Sequence, residues 1–108
     1  MDAKEQADYL RDKLQELEGH LAFDATGDEK KRDAFFETQG DLMKVLHPDV
    51  DATKRLINAC TCIDLYRFQC EGDAMGNESL QRAINATEHL KQSPYIVNLL
   101  GGPERANT

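Results

Sequence analysis

Three cysteines, three histidines and twenty carboxylates are the residues of this chain with chemistry to offer. Cys60, Cys62 and Cys70 all fall in one stretch, Leu46 to Cys70, which opens with His47-Pro48-Asp49 and continues into what reads as the most apolar helix in the protein. Side chains two apart on a helix diverge by roughly 200°. Cys60 and Cys62 are therefore badly placed to pair with each other or to chelate a metal together. A metal site joining them to His47 would still lack the four convergent ligands of a closed zinc centre. Their expected role is as small buried hydrophobes. The histidines, His20, His47 and His89, are spread over three segments. The sequence contains no Gly-rich phosphate loop, no serine with a matching histidine and aspartate, and no helical His-x-x-x-His pair. No carboxylate pair is singled out by an apolar setting that would raise a pKa. Catalytic residues, metal ligands and cofactors are accordingly expected to be none.

The elements that position these groups read as helices. Ala7, Leu10, Leu14, Leu17 and Leu21 recur three and four apart, predicting a first amphipathic helix from Ala3 to Phe23. The same spacing would serve a short coiled-coil seam, which leaves a homodimer open. The segment Asp24 to Asp28 has turn chemistry. A second helix follows from Glu29 to Leu46, with Asp28 as its cap and Ala34, Phe35, Phe36, Gln39, Leu42, Met43 and Leu46 as its apolar face. Lys30, Lys31 and Arg32 read as a solvated face, with an anionic partner as the alternative. Gly40, costly inside a helix by about 1 kcal/mol relative to alanine, is expected at a close helix contact.

His47-Pro48-Asp49 breaks the chain, because proline disfavours helical geometry in the residue before it. Asp49 or Asp51 then caps a third helix running to Cys70. Leu56, Ile57, Cys60, Ile63 and Arg67 lie on one face, with Ala59, Cys62, Tyr66 and Cys70 as a stripe beside it. A helix apolar over so much of its circumference expects partners on more than one side. Asp64 and Arg67, three apart, form either a surface ion pair or an anchor for a neighbouring loop or bound peptide. Asn77 caps a fourth helix with Leu80, Ala83, Ile84, Thr87 and Leu90 inward, and Ser93-Pro94 stops it. Tyr95 to Leu100 is a short fifth helix or an extended segment over the core. Residues 101–108 are expected to be a disordered tail, leaving residues 1–100 as one helical domain. The predicted class is all-α, four to five antiparallel amphipathic helices forming two packed hairpins, either HEAT-like or a four-helix bundle.

Charge and hydropathy narrow the function further. The formal net charge of -7 over 108 residues argues against direct nucleic-acid binding, which needs a basic footprint. No apolar run reaches the roughly 18–20 residues of a membrane span, and the charged opening MDAKEQADYL is unlike a secretory signal. A cytoplasmic or nuclear location is expected, with a protein as the partner.

Two resemblances meet on the His-Pro-Asp. J-domain co-chaperones carry this tripeptide between two antiparallel helices and use it to stimulate Hsp70, which would assign that contact to His47, Pro48 and Asp49. The helix before the tripeptide departs from theirs: Lys44 is the single basic residue among the eight preceding His47. The longer resemblance is to the N-terminal HEAT-type repeat of the precocious-dissociation-of-sisters cohesin regulators. Their pattern Leu-Leu-x-Ala-Cys-x-x-x-Asp-x-x-Arg is similar to Leu56, Ile57, Ala59, Cys60, Asp64 and Arg67 without a gap. The segment Gln69 to Met75 keeps the acidity of the family's recognition loop and lacks its prolines.

That resemblance implies a non-catalytic scaffold in the nucleus, acting in sister-chromatid cohesion. It would bind cohesin subunits and peptide segments of partners such as the wings-apart-like protein. Asp64, Tyr66, Arg67, Glu71 and Asp73 are the partner-binding residues expected on this reading, and Tyr95 to Leu100 would cap the exposed end of the repeat. A third class remains open: a small acidic adaptor or inhibitor of a basic, nucleic-acid-binding protein.

Overall fold

The chain is all-α in a computed structural model that describes residues 2–21, 29–69 and 76–101. Its helices are α1 (Ala3–Gly19), α2 (Glu29–Leu46), α3 (Val50–Asp64), α4 (Gly76–Lys91) and α5 (Pro94–Leu99). A π turn, Leu65–Gln69, extends α3.

Helix α1 starts where Asp2 accepts a hydrogen bond from the Glu5 amide at 2.8 Å, satisfying one of the donors that a helix N-terminus leaves open. Its seam of Ala7, Leu10, Leu14 and Leu17 is buried in the chain's own core, so the apolar stripe that would also suit a dimer is already occupied. The helix ends at Gly19, and residues 22–28, including the expected turn and the Asp28 cap, lie outside the described residues.

Helix α2 runs antiparallel to α1. Lys13 pairs with Asp41 at 3.1 Å, and the Thr38 hydroxyl donates to Glu16 at 3.3 Å; one residue number falls as its partner's rises. The expected inner face of α2 is rotated. Phe35 is fully buried and meets the His20 ring edge-on at 5.3 Å, and Thr38, Leu42 and Leu46 continue its line. Ala34 and Phe36 instead face outward, Phe36 being 43% exposed. Thr38 can sit inward because its single hydroxyl proton is shared between Glu16 and the nearer Ala34 carbonyl, 3.0 Å away. Gly40 is exposed, and a Cβ there would meet nothing within 4 Å, so it marks no close helix contact.

Helix α3 is the central element, packing against α2 on one side and α4 on another. Ala52, Leu56, Ala59, Cys60, Cys62 and Ile63 are buried, whereas Ile57, expected inward, is 47% exposed. Adjacent residues on a helix point about 100° apart, and Leu56 holds the inward position. Helix α4 begins at Gly76, one residue before the expected cap Asn77. Its buried line is Ser79, Ala83, Ala86, Thr87 and Leu90; Leu80 and Ile84 are half-buried. Small residues on both helices let the α3 and α4 backbones approach.

Helix α5 opens with Ser93-Pro94, proline being suited to a first helical position where no amide partner is needed. Ile96 is fully buried, and α5 touches α1, α3 and α4. It thus joins the two ends of the described chain over a single core built by all five helices.

Candidate functional site

The chemistry of the molecule gathers at the C-terminal end of α3, where two sides of one turn do different things. On the inner side, the π turn carries Arg67 into the interior at 5% exposure. Its Nε donates to the His20 carbonyl at 2.6 Å and its Nη2 to the Leu21 carbonyl at 2.7 Å. Those carbonyls lie just past the end of α1, where a helix leaves acceptors open and carries partial negative charge. No basic residue of α1 lies in its last turn, so the cation comes from a residue far along the chain. The guanidinium also rests over the Tyr66 ring, 4.8 Å from its centroid. His20 is held below its ordinary pKa chiefly by burial, with Arg67 adding to the effect and Glu16 opposing it.

On the outer side, a half-open groove of about 260 Å³ runs between α2 and α3. Phe36, Gln39, Cys60, Thr61, Asp64 and Leu65 line it. Phe36 and Leu65, 43% and 39% exposed, give it an apolar rim. Asp64 is paired with Arg32 of α2, Nε to Oδ1 at 3.2 Å and Nη2 to Oδ2 at 3.5 Å. The Arg32 guanidinium lies 5.3 Å from the centre of the Phe36 ring. Cys60 closes the floor at 2% exposure. Burial, reinforced by the Asp64 charge, pushes its thiol up to about 12. It therefore stays protonated near neutrality and is neither nucleophile nor ready metal ligand.

The expected site residues separate on this frame. Asp64 stands at the groove, while Arg67 is turned towards α1 and Tyr66 is half-buried beside it. Of the two roles that the spacing of Asp64 and Arg67 allows, Arg67 takes that of an anchor for a neighbouring segment, the chain just after α1, and Asp64 bridges to Arg32 of α2. Glu71 and Asp73 lie outside the described residues, as do Cys70 and the rest of the segment up to Met75. His47 and Pro48 are exposed in the turn at the opposite end of α3. Asp49 there accepts from the Ala52 amide at 2.8 Å, which makes it the cap of α3.

Phe36, Gln39, Thr61 and Leu65 line the groove, and Arg32 pairs with its carboxylate; sequence reasoning assigns none of them to a site. Phe36 was expected in the core, and Arg32 in a solvated cluster. The Arg32–Asp64 bridge spans two helices and leaves no local spacing signal. Among the described residues, no group of three or more His, Cys, Asp or Glu gathers to hold a metal ion. No described helix is long and apolar enough to cross a membrane. Compared with protein-family models, curated proteins and solved structures, the chain matches none of them.

Proposed function

We propose that this protein is a non-catalytic interaction scaffold that holds a short peptide segment of a partner protein in the groove between α2 and α3. The observation that carries the reading is the groove itself: exposed apolar side chains, Phe36 on α2 and Leu65 at the start of the π turn, beside a mostly buried carboxylate, Asp64. Such a cleft suits a peptide with apolar anchors and a positive charge. The overall charge of -7 favours approach of a basic segment.

The residues shared with the cohesin-regulator pattern support a repeat-type scaffold. Leu56, Ala59 and Cys60 pack inward from α3. Asp64 and Arg67 fasten that helix to α2 and α1. In a stacked-hairpin repeat these are the jobs of an inner helix. By that resemblance the partners would be cohesin subunits or wings-apart-like segments, and the place of action the nucleus.

The test is a binding assay with the full chain against labelled peptides from cohesin subunits and the wings-apart-like protein. Saturable binding that Phe36→Asp and Leu65→Asp both remove, with the helical signal intact, is the expected result. Stimulation of Hsp70 ATPase that is lost in Asp49→Asn, with no cohesin peptide bound, overturns the reading in favour of a co-chaperone.

A further inference from the structure

Two of the residues that line the groove, Asp64 and Phe36, already engage one arginine in a geometry suited to binding another. Arg32 reaches from α2, lies over the Phe36 ring and turns two nitrogens onto Asp64. An aromatic face beside a carboxylate is an arrangement that favours a planar guanidinium over a lysine ammonium. The two partners are not equally fixed. The Asp64 side chain is only 13% exposed, whereas that of Arg32 is 44% exposed. The carboxylate belongs to the wall of the groove, and the arginine is a more exposed arm reaching it from α2. Ion pairs with so exposed a partner contribute little to stability.

We propose that Arg32 is an intramolecular latch occupying the place of a partner's arginine. The groove then takes an apolar peptide segment carrying an arginine, which displaces Arg32 from Asp64 and lays its apolar neighbours on Phe36 and Leu65. Charge complementarity picks this occupant: an acidic chain, a carboxylate set at the edge of an apolar cleft, and a resident guanidinium that shows the fit. Displacement is cheap, because Arg32 returns to water while Asp64 keeps a cationic partner. The inference rests on the peptide-groove reading above and specifies the chemistry of its ligand.

The experiment uses the full chain and a short fluorescein-labelled peptide alternating leucine and arginine. Control peptides carry lysine, or the uncharged citrulline, in place of arginine. Anisotropy gives the affinity, and amide chemical shifts at Gln39, Thr61 and Leu65 locate the binding. Arg32→Ala is expected to bind the arginine peptide about two- to five-fold more tightly than the unmodified chain, the range set by a weak exposed ion pair. Asp64→Asn is expected to lose the preference for arginine over citrulline. Circular dichroism on both variants keeps folding separate from binding. Unchanged or weaker binding by Arg32→Ala, or equal binding of the lysine peptide, overturns the latch. If the arginine peptide still shifts the groove residues in that case, the groove reading stands and the latch alone falls. If no peptide shifts them in any variant, both fall.

Discussion

The two ends of α3 are closed by different means. At its N-terminal end the closure is local. Asp49 accepts from the Ala52 amide, three residues on, and the Thr53 hydroxyl donates to the Leu46 carbonyl at 3.0 Å. At its C-terminal end the closure comes from elsewhere in the chain. Arg67 binds carbonyls that follow α1, and Asp64 is held by Arg32 of α2. The first kind of closure makes a helix start at the right residue. The second, through Arg67, fastens one hairpin to another beside the groove. The His-Pro-Asp, the most conspicuous tripeptide in the sequence, does a capping job; the less conspicuous Asp64 and Arg67 organise the tertiary structure.

The largest effect should come from breaking the distant closure. Arg67→Ala removes two charge-assisted hydrogen bonds and leaves two carbonyls to find new partners. A loss of about 2–4 kcal/mol in urea unfolding is expected. Arg67→Lys should recover only part of it, because one ammonium cannot reproduce the planar fork. An unchanged unfolding midpoint for Arg67→Ala would show that this end of α3 is not fastened as described.

The local closure should matter less. Asp49→Ala is expected to cost about 1 kcal/mol, whereas Asp49→Asn, a comparable cap, should stay within a few tenths. Equal losses in the two variants would mean that Asp49 acts through its charge and not through its hydrogen bond to Ala52.

The pH dependence sharpens the contrast further. His20 lies beside the Arg67 clamp, and burial lowers its pKa from the ordinary 6.5. The unfolded chain therefore takes up the proton more readily, and stability rises with pH across that interval. The His20 contribution should be complete above about 6.5 and be lost as the pH falls towards the lowered folded-state value. Urea midpoints between pH 7.5 and 5.5, approximately spanning this range, should change less in His20→Gln than in the unmodified chain. Nuclear magnetic resonance titration of Arg67→Ala should find His20 moved upward, since Arg67 helps to lower it.

The smallest effect belongs to Arg32→Ala. The exposed side of its pair limits the loss to under about 1 kcal/mol, and added salt should shrink it further. A loss as large as that of Arg67→Ala would make Arg32 a structural tie and remove the distinction between the two arginines.

Much of the fold was legible because it rests on local rules. The bounds of α2, the cap at Asp49, the break at Ser93-Pro94 and the buried seam of α1 follow from helix periodicity and terminal chemistry. The orientation of α2 was less legible. Phe35 and Phe36 are adjacent and equally apolar, and only tertiary packing places Phe35 in the core, where it meets the His20 ring. The groove followed from that choice, because it left Phe36 on the outside. Asp64 and Arg67 are marked by their spacing, yet the partners that each finds, Arg32 on α2 and the carbonyls after α1, leave no signal in that spacing.

The sequence by itself determined an all-α chain, the course of its four longer helices to within a few residues, and that Cys60 and Cys62 are suited to packing. These properties depend on residues within a turn or two of one another, where the helical period dictates what shares a face. Only the tertiary structure decided which phenylalanine is exposed, which carbonyls Arg67 satisfies and where a partner peptide would find a carboxylate beside an aromatic ring. Those outcomes depend on how whole helices rotate against one another, and the energies that choose between rotations are shared among many distant contacts.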